Sequence, residues 1–161
     1  MIRCYIGIGG NLNNPKATVI NAIEQLKQLP QSRWVGVSSL YQSKPMGPAD
    51  QPDYINAVAA IDTELEPLEL LTATQQIEQQ HGRERKDQRW GARTLDLDIL
   101  LFGEQIIAHD RLVVPHYGLQ QREFVLYPLQ ELQADLVLPD GLTLQQVIAN
   151  IPYNGMVKHP I

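Results

Sequence analysis

Residues 83–101 read Arg-Glu-Arg-Lys-Asp-Gln-Arg-Trp-Gly-Ala-Arg-Thr-Leu-Asp-Leu-Asp-Ile-Leu-Leu. From Leu95 the residues alternate, so an extended chain puts Leu95, Leu97, Ile99 and Leu101 on one face and Asp96 and Asp98 on the other. The apolar face asks for a core. The acidic face asks for something positive: two residues along a strand span roughly 6.6 Å, and two negative charges at that distance repel by about 2.5 kcal/mol at an effective dielectric of ~20. A divalent cation removes that repulsion, and Mg²⁺ characteristically takes one or two protein carboxylates and fills its other positions with water and phosphate oxygens. Just upstream, Arg83, Arg85, Lys86, Arg89 and Arg93 supply five cations, and guanidinium forks match phosphate oxygens in pairs. Either half alone reads equally well as a solvated loop, with Glu84 and Asp87 as counterions, or as a strand with a polar outer face. Side by side, with Trp90 and Gly91 between them, they point to a polyphosphate held by metal and arginine.

The remainder of the chain supplies partners for that strand. Residues 2–8 alternate Cys4, Ile6 and Ile8 against Arg3, Tyr5 and Gly7, a strand ending at Gly9-Gly10. The glycine turn lacks the Lys-Ser/Thr ending of a P-loop and reads as a structural turn that could also let backbone amides approach a ligand. Asn13 or Asn14 caps a helix opened by Pro15, with Val19, Ile20, Ile23, Leu26 and Leu29 as its apolar stripe and Pro30 as its end. Residues 34–42 read as one strand with a polar tail at Ser38 and Ser39. Pro45, Gly47, Pro48 and Pro52 make residues 43–52 a long loop, either a binding lid or a surface excursion. Residues 54–62 alternate Ile55, Ala57, Ala59 and Ile61 against Tyr54, Asn56, Val58 and Ala60, which projects Tyr54 and Asn56 to one side. An aromatic and an amide so placed can stack on and hydrogen-bond a flat heterocycle, or can be structural.

Glu66-Pro67 opens a second helix through His81, with Leu68, Leu71, Thr74 and Ile77 as its buried stripe and Gly82 as its C-terminal cap. Gln75 and Glu78 share a face there and read as solvated. After the strand from Leu95, Gly103-Glu104 reads as a hairpin turn into residues 105–107. Residues 111–116 read as extended up to Pro115, residues 121–132 as helical spacing interrupted by Pro128, Pro139-Asp140-Gly141 as a turn, and Thr143 as the cap of a last short helix. Strand, helix, strand, strand, helix, strand is the ferredoxin-like βαββαβ order, an α+β fold with an antiparallel sheet, both helices on one face and the other face open for chemistry. Extra C-terminal strands and short helices elaborate it, and residues 1–161 form a single domain.

Composition narrows the ligand. With 43% apolar and 19% charged residues and a mean hydropathy of -0.22, the chain is ordinary for a soluble globular domain. A net charge of -5 argues against nucleic acid or an anionic membrane as partner, because those need an extended basic surface. The early Arg3 and Gly9-Gly10 leave no apolar run for a signal peptide. Cys4, the lone cysteine, excludes an intrachain disulfide and reads as a buried thiol suited to a reducing cytoplasm. No His/Cys cluster has zinc-ligand spacing.

Arg89-Trp90-Gly91-Ala92-Arg93-Thr94-Leu95-Asp96-Leu97-Asp98-Ile99-Leu100 resembles the signature of the 6-hydroxymethyl-7,8-dihydropterin pyrophosphokinases of folate biosynthesis. Four further segments resemble that family in order: Tyr5-Ile6-Gly7-Ile8-Gly9-Gly10-Asn11-Leu12, Gln51-Pro52-Asp53-Tyr54-Ile55-Asn56-Ala57, Val114-Pro115-His116-Tyr117 and Arg122-Glu123-Phe124-Val125-Leu126-Tyr127-Pro128-Leu129. The resemblance implies transfer of a diphosphate from ATP to the pterin's hydroxymethyl oxygen, with AMP released. It implies that Asp96 and Asp98 hold two Mg²⁺ ions and that Arg83 and Arg93 are catalytic. It assigns ATP to Gln75, Glu78, Arg85, Arg89, Trp90, Arg93, Ile99, Arg111, Leu112, Val113, His116, Tyr117 and Arg122. The pterin falls to Ser43, Pro45, Met46, Tyr54, Asn56, Trp90 and Phe124. It makes the loops 43–52 and 83–93 lids that exclude water. ATP and the pterin are then the partners of a cytoplasmic monomer. A non-catalytic nucleotide sensor of the same fold is the alternative, against which the paired aspartates weigh, and an RNA-binding module would need more aromatics and a basic sheet face.

Overall fold

In the computed structural model, β1 (Ile2–Gly10) runs through the middle of an antiparallel sheet, flanked by β4 (Tyr54–Thr63) and β5 (Asp96–Phe102). The structure describes residues 1–10, 14–44, 53–81, 95–153 and 155–159. The sheet order is β5-β1-β4-β3-β8, where β3 is Leu40–Ser43 and β8 is Val157–His159, and β2 (Ser32–Val37) also pairs with β4. This is the ferredoxin-like order expected from the chain.

α1 (Pro15–Leu26) and α2 (Pro67–Gln80) cover one face. Cys4, Ile6 and Ile8 of β1, Ala57, Ala59 and Ile61 of β4, and Leu97 and Ile99 of β5 meet Val19, Ala22, Ile23 and Leu26 of α1 and Leu70 and Ile77 of α2. Asn14 caps α1, its side-chain oxygen accepting the Ala17 N–H at 3.5 Å. The expected stripe needs correction at Ile20, which is 37% exposed; Thr18 and Ala22 take its place, and the helix ends at Leu26 before Pro30. On α2, Leu70 is the deeply buried leucine, while Leu68 and Leu71 pack at the core's margin. The Gly82 cap lies outside the described residues. Cys4 is fully buried, and burial pushes its thiol up to about 12.

The opposite face is not left open. α3 (Glu123–Leu132) and α4 (Leu144–Ile148) pack Val125, Leu126, Leu129, Leu144 and Val147 onto Tyr5, Val58, Ala60, Leu100 and Leu101. Two features underlie this second core. The β1–β5 register shifts between Tyr5 and Ile6, so both Leu100 and Leu101 turn to the α3 side and Phe102 returns to the α1 side. Strict alternation from Leu95 therefore fails at Leu101. Pro128 also stays inside α3: its missing N–H forgoes one intrahelical bond, while the residue itself is buried.

Three other expectations are corrected. The strand read over 34–42 breaks at Ser38, which is buried, donates its N–H to the Val58 carbonyl at 2.9 Å and accepts the Val58 N–H on Oγ at 3.0 Å. Glycine 103, at φ 56°, does make a turn after β5. The chain beyond it, however, forms β6 (Ile107–Ala108), which pairs with β7 (Val113–Val114) rather than with β5. The short β8, on the edge beside β3, was not expected at all. The turn at residues 139–141 and the Thr143 cap form as read, with Thr143 Oγ1 accepting the Gln146 N–H at 3.2 Å.

Candidate active site

The second core covers only part of its face. At the end where β1 reaches Gly7 and Gly9, a cavity of about 190 Å³ remains. Gly7 pairs with Asp98 on one side and Val58 on the other, and Gly9 with Asp96 and Asn56. The central strand thus presents a floor without side chains between an acidic row on β5 and a Tyr54–Asn56 row on β4. The two rows are two strand spacings apart, roughly 10 Å, enough to seat a flat ring beside a phosphate chain. Gly9 must be glycine for this arrangement, because a Cβ there would lie 2.4 Å from Asn56 Oδ1. Alternating glycines on a strand are the available signal for that floor, whereas Gly7 was expected as a strand residue and Gly9-Gly10 as a turn that could let backbone amides approach a ligand.

Three further segments wall the cavity: Ser43 and Lys44 at the end of β3, His116 and Tyr117 after the cis Val114–Pro115 bond, and Arg122, Phe124 and Val125 at the start of α3. His116 is pinned to β5 by its backbone N–H, which donates to the Leu100 carbonyl at 3.1 Å. Its Nδ1 accepts the Gly118 N–H at 3.1 Å. That bond leaves the proton of the neutral ring on Nε2, which faces Asp98 Oδ2 at 3.8 Å. Burial lowers the His116 pKa, the Asp98 charge opposes that shift and Arg122 adds to it. The His116 and Tyr117 rings stack with centroids 4.4 Å apart, and the Arg122 guanidinium lies 5.2 Å from the Tyr117 ring centre and 5.7 Å from that of Phe124.

Of the residues singled out in the sequence, Asp96, Asp98, His116, Tyr117, Arg122, Ser43, Tyr54, Asn56 and Phe124 line this one cavity. The others described lie elsewhere around β5. Glu78, read as solvated, is only 5% exposed, and its carboxylate accepts the Leu97 N–H at 2.8 Å, so that reading is corrected. Gln75 lies half-buried on α2. Ile99 and Leu112 belong to the core under α1 and α2, Val113 is 55% exposed, and Arg111 donates to Thr72 Oγ1 at 3.4 Å. Pro45, Met46, Arg83, Arg85, Arg89, Trp90 and Arg93, with both expected lids, fall outside the described residues apart from Ser43 and Lys44. Among the described residues no three His, Cys, Asp or Glu side chains cluster as a metal cage, and no helix is long and apolar enough to cross a membrane. Two carboxylates facing an open cavity are the donor set that suits Mg²⁺ shared with substrate phosphates.

Residues 5–134 match the family described as 7,8-dihydro-6-hydroxymethylpterin-pyrophosphokinase (HPPK). The Pseudomonas aeruginosa protein named 2-amino-4-hydroxy-6-hydroxymethyldihydropteridine pyrophosphokinase is 53% identical over 158 residues, 98% of this chain and 97% of its own. The Haemophilus influenzae protein of the same name is 49% identical over 98% of both chains. Among solved structures, Plasmodium falciparum HPPK-DHPS with pteroate superposes with a TM-score of 0.72 at 12% identity, a likeness of fold alone. It covers 92% of this chain and 42% of that longer one. On the match over residues 5–134 and of full-length relatives at about half identity, the chain belongs to the 7,8-dihydro-6-hydroxymethylpterin-pyrophosphokinase family.

Proposed function

We propose that this protein transfers the diphosphate of ATP to the hydroxymethyl oxygen of 6-hydroxymethyl-7,8-dihydropterin in folate biosynthesis. The pterin hydroxyl oxygen gives up its proton and bonds to the β-phosphorus, the bridge from that phosphorus to the α-phosphate breaks, and AMP leaves with the bridging oxygen. The observation that carries this reading, beside the family, is that one cavity holds both Asp96 and Asp98 and the set Tyr54, Asn56 and Phe124. Tyr54 and Phe124 flank the flat ring and Asn56 reads its polar edge, with Ser43, Pro45, Met46 and Trp90 beside it. Asp96 and Asp98 hold two Mg²⁺ ions together with the nucleotide; when bound, such ions neutralise phosphate charge and lower the pKa of the attacking hydroxyl.

Arg83 and Arg93 balance the charge that builds on the transferred group, a contribution that reaches about 10³ or more in phosphoryl transfer. Arg85, Arg89, Arg111, His116, Tyr117 and Arg122 contact ATP. Gln75 and Glu78 line the ATP site, and Ile99, Leu112 and Val113 meet adenine and its ribose, where Val113 offers backbone contacts only. The chain works as a single domain over 1–161 and as a monomer in the cytoplasm, where the buried Cys4 thiol stays reduced. Replacing Asp96 or Asp98 with Asn tests the assignment. Turnover should vanish in both variants with the cooperative melting transition retained; full activity in both would remove the metal from the account.

A further inference from the structure

Position 118 has no room for a side chain, and the three atoms nearest to an added Cβ all belong to Arg122. A Cβ on Gly118 would lie 2.5 Å from Arg122 Nε, 2.7 Å from Cζ and 2.9 Å from Cδ. The Gly118 φ is not positive, so the backbone there would accept alanine. The backbone cannot retreat easily. Gly118 donates its N–H to His116 Nδ1 at 3.1 Å and accepts the Gln121 N–H at 3.2 Å, while His116 is itself tied to Leu100 of β5. Arg122 is the partner able to move, being the long side chain of a half-buried residue with its guanidinium over the Tyr117 and Phe124 rings and Nη2 3.5 Å from the Tyr117 hydroxyl.

We infer that Gly118 is a positioning residue: by lacking a side chain it lets the Arg122 guanidinium sit 5.2 Å from the Tyr117 ring centre and 5.7 Å from that of Phe124, at the junction of the nucleotide and pterin halves of the cavity. The inference rests on the pyrophosphokinase reading for the identity of the ligand. A cation held between two rings is oriented before the nucleotide arrives, so less freedom is lost when it meets a phosphate. Alanine at 118 forces the guanidinium out of that slot at little cost in stability, since only the end of a flexible side chain has to swing.

The test is a double-mutant cycle on the intact protein with Gly118→Ala, Arg122→Ala and the two combined, read by calorimetry of Mg·ATP binding and by steady-state kinetics. Gly118→Ala should weaken Mg·ATP binding and raise the KM for ATP roughly tenfold, the scale of one charge-assisted hydrogen bond, with an unchanged melting temperature. In the Arg122→Ala background it should cost nothing more, because nothing is left to displace. Wild-type affinity in Gly118→Ala, additive losses in the double variant, or a lowered melting temperature would each overturn the inference. Wild-type protein that binds Mg·ATP but makes no AMP would end the pyrophosphokinase reading instead, and the cycle would still be decided by binding alone.

Discussion

The Glu78 carboxylate accepts the backbone N–H of Leu97 at 2.8 Å, so a buried acid on α2 grips β5 at the residue between Asp96 and Asp98. β5 is an edge strand, and an edge N–H without a partner leaves register poorly fixed. Glu78→Ala should therefore lower the unfolding free energy by about 2 kcal/mol, as expected for losing a charge-assisted bond from a buried donor. Glu78→Gln, whose amide oxygen can still accept, should recover most of that. Urea titration of the three proteins checks it, and an unchanged midpoint in Glu78→Ala would show that the strand is held without this bond.

Gly9 and Asn56 make a second pair with a sharp consequence. Since a Cβ on Gly9 would lie 2.4 Å from Asn56 Oδ1, Gly9→Ala must displace the amide proposed to read the pterin edge. Pterin affinity should fall roughly tenfold to a hundredfold, the cost of mispaired polar groups in a binding site, with Mg·ATP affinity nearly unaltered. Calorimetry with each ligand separately would show whether the loss is confined to the pterin.

Phe124 stands at the start of α3, with Val125 and Leu126 behind it in the second core. Phe124→Ala removes one face of the proposed ring sandwich and should weaken pterin binding by about tenfold beyond any change in ATP binding. Equal losses for both ligands would instead assign Phe124 to shaping the whole cavity.

Stability in acid should report on Asp62. Its carboxyl takes Arg3 Nε at 2.6 Å and Arg33 Nη2 at 2.6 Å. The Arg3 hydrogen bond holds it below the usual carboxylate range against the opposing effect of burial, and Arg33 adds to the lowering. A folded-state pKa below the unfolded one gives stability that is full above the unfolded value and is lost as pH falls through the folded value. Asp62→Asn should thus be clearly less stable than the parent near pH 7, and the two should converge toward the acid limit in denaturant titrations across pH.

Much of this architecture can be read from local pattern, and the failures have specific physical causes. The alternation of β1, β4 and β5 was legible because each strand segregates its two faces. Leu101 was misassigned because a bulge is a property of the pair, visible only in the register with Tyr5 and Ile6. The open sheet face was expected from the βαββαβ order, which puts both helices on one side, whereas α3 and α4 pack onto part of the other side. Glu78 did carry a signal: it falls on the stripe Leu70, Thr74, Ile77, Glu78, but an acid on a buried stripe reads as solvent-facing until its backbone partner is known. β8 has three residues, two of them exposed, too short for any periodicity. In the site, the acidic pair and the Tyr54–Asn56 pair were legible from strand period. The Gly118–Arg122 relationship was not, since it depends on where a turn and a helix start meet.

The proposed reaction requires attack at the β-phosphorus, not the γ-phosphorus. Incubating the pure protein with ATP, Mg²⁺ and 6-hydroxymethyl-7,8-dihydropterin and separating the products tests it directly. AMP and the pterin diphosphate should appear in equal amounts. ADP with a pterin monophosphate would mean single-phosphoryl transfer and would contradict it.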